Sequence, residues 1–165
     1  PTRRSSDLAA SVFCSQNLGA RQADRIKKGA LEATIAGCIY GFSAGLILIF
    51  FGRPLSMIFL SKNATAVLDA SAKYLRCLGF FFGILGILNV CRMVTQGLGY
   101  SGRAIFSGVM EMIGRVVSVG FVGTMGYTAI CFADQAAWIA ASCYIGPTCI
   151  WCIRRSIKLL EGKQA

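Results

Sequence analysis

A carboxylate and a guanidinium group lie four residues apart inside an otherwise apolar stretch of this chain. Glu111 and Arg115 are the only charged residues of segment 104–127. Residues at positions i and i+4 share one face of a helix, so the arginine can neutralise the acid. A lone charge inside a bilayer is costly, so the pair either fixes helix packing or faces a watery cavity. In the second case Glu111 exchanges a proton or a sodium ion, which requires the pair to separate in one conformation.

Two more polar residues lie in the preceding apolar segment, residues 75–95. Arg92 is near the end of that segment, where its long side chain can reach the membrane boundary. Asn89 lies deeper, about 10 Å before the end of the span by helical rise. It either lines a cavity or forms a hydrogen bond across a helix interface. Asn89 therefore joins the ion pair as a candidate for transport or ion coupling.

A polar hinge connects the two apolar segments: Gln96-Gly97-Leu98-Gly99-Tyr100-Ser101-Gly102-Arg103. Its glycines end the first helix, with Gly97 or Gly99 in the left-handed conformation that glycine adopts without strain. Ser101 is a favourable N-cap for the second helix. The hinge predicts a tight helix-helix hairpin, and each arm has the roughly 20 apolar residues that cross a bilayer.

The composition indicates lipid as the solvent for most of the chain. Hydrophobic residues make up 55% of the 165 residues and charged residues 15%, against about 25% charged residues in a typical globular domain. The formal net charge of +10 comes from cations that cluster between the apolar segments. Such clusters orient membrane proteins, whereas a nucleic-acid-binding face would interleave cations with aromatic residues. The pattern therefore argues against a nucleic-acid partner.

The sequence gives little support for catalysis or for metal binding. The chain has no histidine, and no serine or cysteine has a partner at catalytic spacing. Nearly all of its eight cysteines lie in apolar segments, where they act as small hydrophobic residues. Cys149 and Cys152 have the spacing of a redox or metal pair, but no second pair accompanies them. We therefore expect no enzyme activity, no resident metal and no cofactor.

The apolar segments divide the chain into membrane spans. Residues 1–8 are polar and basic and look like a translated sequencing adaptor, so we exclude them as non-native. Residues 9–20 are expected to be the end of a span that begins upstream. Full spans are predicted at residues 29–52, 74–96, 104–127 and 133–153, followed by a tail at 159–165. In the first of these, glycines at i, i+4 and i+8 form a stripe for close helix packing: Gly37, Gly41 and Gly45.

The connections between spans set the expected orientation. Gly52-Arg53-Pro54 is predicted to end the first full span, and residues 61–72 to form a loop with an interfacial helix. The segments 21–28, 96–103 and 154–163 carry most of the cations and alternate with weakly charged connections. Under the positive-inside rule the basic segments face the cytoplasm, and the C-terminus lies there with them.

Several of these features occur in an order that resembles a known family. They are Ser15-Gln16-Asn17-Leu18-Gly19-Ala20 closing a span, a basic loop, Arg92 followed by Gln96-Gly97-Leu98-Gly99-Tyr100-Ser101, and then Gly108-Val109-Met110-Glu111 with Arg115. This set is similar to the C-terminal lobe of the multidrug and toxic compound extrusion (MATE) transporters. It is most similar to the bacterial DinF-like and Firmicute drug-efflux branch. The likeness covers residues 9 to about 158.

The resemblance implies an all-α, polytopic transmembrane helix bundle. The family has twelve spans in two six-helix lobes, so this chain would hold the end of the eighth span through the twelfth, without the N-terminal lobe. It also implies a secondary antiporter of the bacterial inner membrane that exports cationic or amphipathic organic compounds, with protons or sodium as the coupling ion. By the same resemblance, six residues at cytoplasmic helix ends are gate candidates: Gln16, Gly19, Arg92, Gln96, Gly97 and Gly99.

One departure from the family pattern concerns the tenth span. Some members carry an acidic residue near the position of Leu85, whereas residues 75–95 contain no carboxylate, so coupling of that kind is in doubt. A flippase for a lipid-linked or polysaccharide precursor is the alternative within the superfamily, although such flippases tend to line their cavities with cations. A small membrane scaffold subunit without transport activity is the alternative from another class, and the truncated first span argues against it.

Overall fold

The computed structural model describes the backbone of residues 3–59 and 65–161 and the side chains of residues 9–58 and 65–161. This part of the chain forms six helices: α1 (Arg3–Gly19), α2 (Ala23–Phe59), α3 (Thr65–Gly97), α4 (Ser101–Gly120), α5 (Val122–Met125) and α6 (Tyr127–Glu161). The described residues include no strand, so the expected all-α fold is confirmed. Residues 3–8, predicted to be non-native, form the first turns of α1. The last residues of the predicted tail, 162–165, lie outside the described part.

Three of the helices, α2, α3 and α6, are long and apolar enough to cross a membrane. A helix satisfies its own backbone hydrogen bonds, as lipid requires, so these three define a transmembrane bundle. The sequence predicts four whole spans, and α4 is the one that this criterion does not include. Its 20 residues extend about 30 Å, but three of them are charged: Arg103, Glu111 and Arg115. Length and apolar composition alone therefore do not mark α4 as a span.

The end of α4 also differs from the prediction. The span predicted at 104–127 stops at Gly120, and after the single turn of α5 the next helix begins at Tyr127, earlier than predicted. Gly120, Gly123 and Gly126 weaken the helix at every third position, because each glycine costs about 1 kcal/mol relative to alanine. Gly126 has a φ of 58°, a conformation that glycine adopts readily and that ends the helical path.

Helices α2 and α3 are each longer than the predicted span. α2 continues to Phe59, so Gly52-Arg53-Pro54 does not end it. α3 begins at Thr65 and runs without a break into the span predicted from residue 74. Residues 65–72, the described part of the predicted loop, therefore contain no separate interfacial helix.

Polar contacts connect α2 to α3 close to Pro54, through which α2 continues. Proline removes one backbone donor from a helix. Close to it, the Ser56 and Ser71 hydroxyl oxygens lie 2.8 Å apart, and Arg53 pairs with Asp69 at 3.2 Å. These polar contacts attach the last turns of α2 to the first turns of α3.

A seam of glycines joins α2 to α3, which runs antiparallel to it. A Cβ added to Gly45 would lie 2.4 Å from the Gly79 carbonyl oxygen, and one added to Gly86 would lie 2.4 Å from that of Gly37. A Cβ on Gly41 would lie 2.8 Å from a backbone oxygen of α3. Small residues let membrane helices approach this closely and gain packing energy. The predicted glycine stripe is therefore confirmed as a helix-packing surface.

The two ends of the bundle differ in charge. At one end Ile26, Leu98 and Cys152 pack in a common buried cluster, so the α1-α2 connection, the hinge and the end of α6 lie together. This hinge end carries eight described cations: Arg21, Arg25, Lys27, Lys28, Arg103, Arg154, Arg155 and Lys158. At the opposite end the Tyr127 hydroxyl group donates to the Ala70 carbonyl oxygen at 2.9 Å. The described cations near that end are three: Arg53, Lys73 and Arg76.

Replacing Gly45 by alanine should destabilise the bundle, because the new Cβ would push α2 and α3 apart. We expect a loss of about 1 to 3 kcal/mol, the usual effect of overpacking. Thermal unfolding in detergent, followed by circular dichroism, measures the loss. Gly108→Ala is the matched control, since nothing lies within 4 Å of its added Cβ. Equal losses in the two variants would contradict the seam.

Candidate functional site

The hinge forms the tight turn that its glycines predict. Helix α3 ends at Gly97, and Gly99 has a φ of 87°, a conformation that residues with a Cβ rarely adopt. The Gly99 amide donates to the Gln96 carbonyl oxygen at 2.9 Å and closes the turn. Gly97 allows a close approach instead, since a Cβ there would lie 2.4 Å from the Ser11 carbonyl oxygen of α1. Ser101 is the first residue of α4 rather than its N-cap, so that prediction is wrong.

The hairpin places Arg92 of α3 opposite Glu111 of α4. Arg92 Nη2 lies 2.9 Å from Glu111 Oε2, and Arg92 Nε donates to the Ser107 hydroxyl oxygen at 2.8 Å. Both charged side chains are mostly buried, with 21% and 16% of their surface exposed. Arg92 therefore turns inward rather than toward the membrane boundary, because a carboxylate within hydrogen-bonding distance holds it strongly.

Arg115 continues these contacts on the other side of Glu111. Its Nη2 lies 3.0 Å from Glu111 Oε1, so the predicted ion pair is present. Its Nε lies 2.9 Å from Oδ1 of Asp134 in α6. The other oxygen of that carboxylate accepts a 2.5 Å hydrogen bond from the Tyr74 hydroxyl group of α3. We call this continuous series the polar network: Ser107, Arg92, Glu111, Arg115, Asp134 and Tyr74.

The polar network is electrically neutral and extends far along the bundle. Its charges alternate between two arginines and two carboxylates, and paired charges are much less costly in lipid than lone ones. Tyr74 and Arg92 are separated by 18 positions on α3, which is about 27 Å at 1.5 Å per residue. Because a hydrocarbon core is about 30 Å thick, the network is attached to α3 at two levels that are separated by most of the depth of a bilayer.

Three contacts of the polar network each join a different pair of helices. The contact from Arg92 to Glu111 links α3 to α4, and the contact from Arg115 to Asp134 links α4 to α6. The hydrogen bond from Tyr74 to Asp134 links α3 to α6. A helix that moves relative to the other two must break two of these contacts. Such a movement frees carboxylate oxygens, which can then take a proton or a small cation.

Asp134 and the two hydroxyl residues of the polar network were not predicted from the sequence. A span predicted to begin at residue 133 places Asp134 at its first residues, at the membrane boundary, whereas Asp134 lies about two turns inside α6. Charge balance could have identified it, because Arg92 and Arg115 together need two carboxylates. Asp134 is the only acidic residue in positions 112–160. No feature of the sequence identifies the two hydroxyl residues, Ser107 and Tyr74, because only the packing of three helices brings their side chains next to the charged groups.

The remaining predicted site residues lie apart from the polar network. Asn89 is partly buried on α3, and its role stays a prediction. Gln16 is exposed, and Gly19 is the last residue of α1. Gln96 takes part in the hinge turn through its carbonyl oxygen. Of the predicted gate residues, Arg92 alone belongs to the network.

The cysteines form no disulfide bonds with one another. All eight are free thiols. Cys14, Cys149 and Cys152 lie in the buried cluster at the hinge end with Val94 and Leu98, as small hydrophobic residues do. Among the residues whose placement is described, no three histidine, cysteine, aspartate or glutamate side chains are grouped to hold a metal ion.

The fold and the polar network define the class of the protein: an α-helical, multi-pass membrane protein with a neutralised set of charges between its helices. The sequence profile of the family described as MatE matches residues 5–122, more than two thirds of the chain. The chain therefore belongs to the MATE family, whose members are membrane transporters rather than enzymes. No curated protein and no solved structure matches it. The matched region begins two residues inside α1, contains α2 to α4, and ends before Asp134.

Glu111→Gln should destabilise the protein, because Arg92 would keep a largely buried charge without a charged partner. Removing one member of a buried ion pair costs several kcal/mol, and we expect about 2 to 4 kcal/mol for this partly exposed case. Thermal unfolding of the detergent-solubilised protein measures the effect.

Two control variants accompany this measurement. The double variant Arg92→Gln, Glu111→Gln removes one charge of each sign and should recover most of the loss, since Arg115 keeps Asp134. Arg53→Gln breaks an ion pair whose side chains are 50% and 66% exposed, and it should cost less than about 1 kcal/mol. A Glu111→Gln loss no larger than that of Arg53→Gln would show that the network contributes little.

Proposed function

We propose that the chain is part of a secondary active antiporter that exports cationic or amphipathic organic compounds in exchange for protons or sodium ions by alternating access. Membership of the MATE family supports transport. One observation supports ion coupling above all: Glu111 is shared between arginines of two helices, at 2.9 Å from Arg92 and 3.0 Å from Arg115. Glu111 is the proposed coupling residue, and Arg92 and Arg115 neutralise it between ion-binding events.

Sharing one carboxylate between two helices couples ion binding to movement. While Arg92 holds Glu111, α3 and α4 are attached to each other. A proton or sodium ion that neutralises Glu111 weakens this attachment, and the two helices can then separate. A ligand shifts a conformational equilibrium only if it binds the two states differently. Glu111 meets this condition, because separation of α3 and α4 changes its surroundings.

The charge of the polar network favours cationic cargo over the flippase alternative. Arg92 is mostly buried and Arg115 is 48% exposed, and both are paired with carboxylates. The network therefore offers no net positive charge to an anionic lipid-linked or polysaccharide precursor. A neutral network that releases a carboxylate instead suits organic cations and small inorganic ones.

The proposed setting is the inner membrane of a bacterium, with the hinge end and the C-terminus in the cytoplasm. The eight described cations at the hinge end, against three near the opposite end, support this orientation under the positive-inside rule. The resemblance to the C-terminal lobe of drug-efflux members supports a second lobe in the same polypeptide as the partner of this bundle.

Transport by the complete reading frame that contains this chain tests the proposal. Proteoliposomes carrying the protein should move a fluorescent organic cation such as ethidium when a proton or a sodium gradient is imposed, and the two gradients are tested separately. Glu111→Gln should abolish gradient-driven transport, because an amide cannot exchange the coupling ion. Fluorescence change against time gives the rate.

The double variant Arg92→Gln, Glu111→Gln separates coupling from folding. It should be nearly as stable as the unsubstituted protein and still fail to couple. Glu32→Gln removes an exposed carboxylate outside the polar network and should transport normally. Gradient-driven transport by the double variant would overturn the coupling role of Glu111.

A further inference from the structure

A cationic site separate from the polar network lies at the hinge end, where two arginines contact one tryptophan. The guanidinium carbon of Arg103 lies 3.9 Å from the centroid of the Trp151 ring, and that of Arg155 lies 4.9 Å from it. The two cations are therefore within about 9 Å of each other, each held by a cation-π contact. The Tyr100 ring packs edge-on against the same indole with centroids 5.9 Å apart, which fixes the position of the ring between α4 and α6.

Neither arginine of this site has a carboxylate partner in the described part of the chain. The four ion pairs found there involve other side chains. Two neighbouring like charges repel each other, and Arg154 and Lys158 add positive charge on the same helix. An anion that contacts both guanidinium groups would relieve this repulsion.

The surroundings of the site are those of a membrane boundary. Trp151 is 38% exposed, and tryptophan is enriched at the level of lipid headgroups. Farther from the hinge along α4 and α6, the Phe106 and Tyr144 rings pack with centroids 5.0 Å apart. Phe106 and its neighbour Ile105 expose 47% and 66% of their surface. Cationic groups at the boundary thus continue into exposed apolar surface, as the two parts of a phospholipid require.

We propose that Arg103, Trp151 and Arg155 bind the phosphate of an anionic phospholipid from the leaflet at the hinge end. Guanidinium groups form strong, charge-assisted hydrogen bonds with phosphate oxygens. The acyl chains lie along Ile105 and Phe106, which explains why a lipid occupies the site in preference to a free phosphate ion. A headgroup with net negative charge neutralises the arginines, whereas a zwitterionic headgroup brings a cation of its own. The bound lipid links the first turn of α4 to the end of α6.

Native mass spectrometry of the whole chain in detergent tests this site. The chain is mixed with phosphatidylglycerol or phosphatidylcholine, and the retained lipid is counted. The unsubstituted chain should retain phosphatidylglycerol and little phosphatidylcholine. The double variant Arg103→Gln, Arg155→Gln should retain phosphatidylglycerol about tenfold more weakly, because both cations act on one phosphate.

The matched control, Arg154→Gln with Lys158→Gln, removes the same number of positive charges from the hinge end without replacing a residue that contacts Trp151. It should weaken the retention of phosphatidylglycerol much less than the test variant does. An equal loss in the control would overturn the proposal in favour of general attraction to the basic end. Displacement of the lipid by an equal concentration of inorganic phosphate would overturn it in favour of a free-anion site.

A second measurement needs no variant and so does not depend on variant folding. Brominated phosphatidylglycerol should quench the fluorescence of Trp151, whereas Trp138, which is 6% exposed, serves as the unquenched internal reference. Brominated phosphatidylcholine at the same concentration should quench much less. Equal quenching by the two lipids would overturn the proposal, because it would show that the indole meets bulk lipid without selection.

Discussion

A charge surrounded by lipid must be neutralised by the protein itself, and this constraint organises the bundle. Each carboxylate of the polar network is held by two donors. Arg92 and Arg115 hold Glu111, and Arg115 and Tyr74 hold Asp134. Because the donors lie on α3 and α4 and the acids on α4 and α6, the charges are satisfied only in one rotation and register of the three helices. Hydrophobic burial is not directional in this way, so the ionic contacts select the arrangement.

The helix pairs of the bundle are held together by different kinds of interaction. Helices α2 and α3 meet through backbone contacts at Gly45 and Gly86, which no change of ion or pH can release. Helix α4 meets α3 through Arg92 and Glu111. It meets α6 through Arg115 and Asp134 and also through backbone packing, since a Cβ on Gly114 would lie 2.7 Å from the Cα of Ala137. Ionic contacts of this kind respond to ion binding. In the proposed transport cycle, an ion therefore releases α4 from α3, whereas the backbone contacts of α2 with α3 and of α4 with α6 are kept.

The sequence predicts contacts within a helix better than contacts between helices. The pair of Glu111 and Arg115 follows from their spacing alone, and the turn at Gly99 follows from local conformational preference. The inward direction of Arg92 does not, because it depends on which face of α3 meets α4. The same holds for the contacts of Asp134. Its position within α6 was harder still to predict, because three spaced glycines end α4 early and α6 therefore begins earlier in the sequence. Charge balance is the one long-range rule that would have recovered it, since it needs no geometry.

Arginine occurs in two settings along one hairpin, and depth in the membrane accounts for the difference. Arg92 lies within the bundle, where only a carboxylate can replace water, and it contacts Glu111. Arg103 lies at the boundary, where an aromatic ring is sufficient because water and headgroups remain within reach. Glu111 and Arg103 are both on α4, about 12 Å apart by helical rise. A rigid helix transmits a displacement from one end to the other. Ion binding at Glu111 and lipid binding at Arg103 would therefore act on the same moving element.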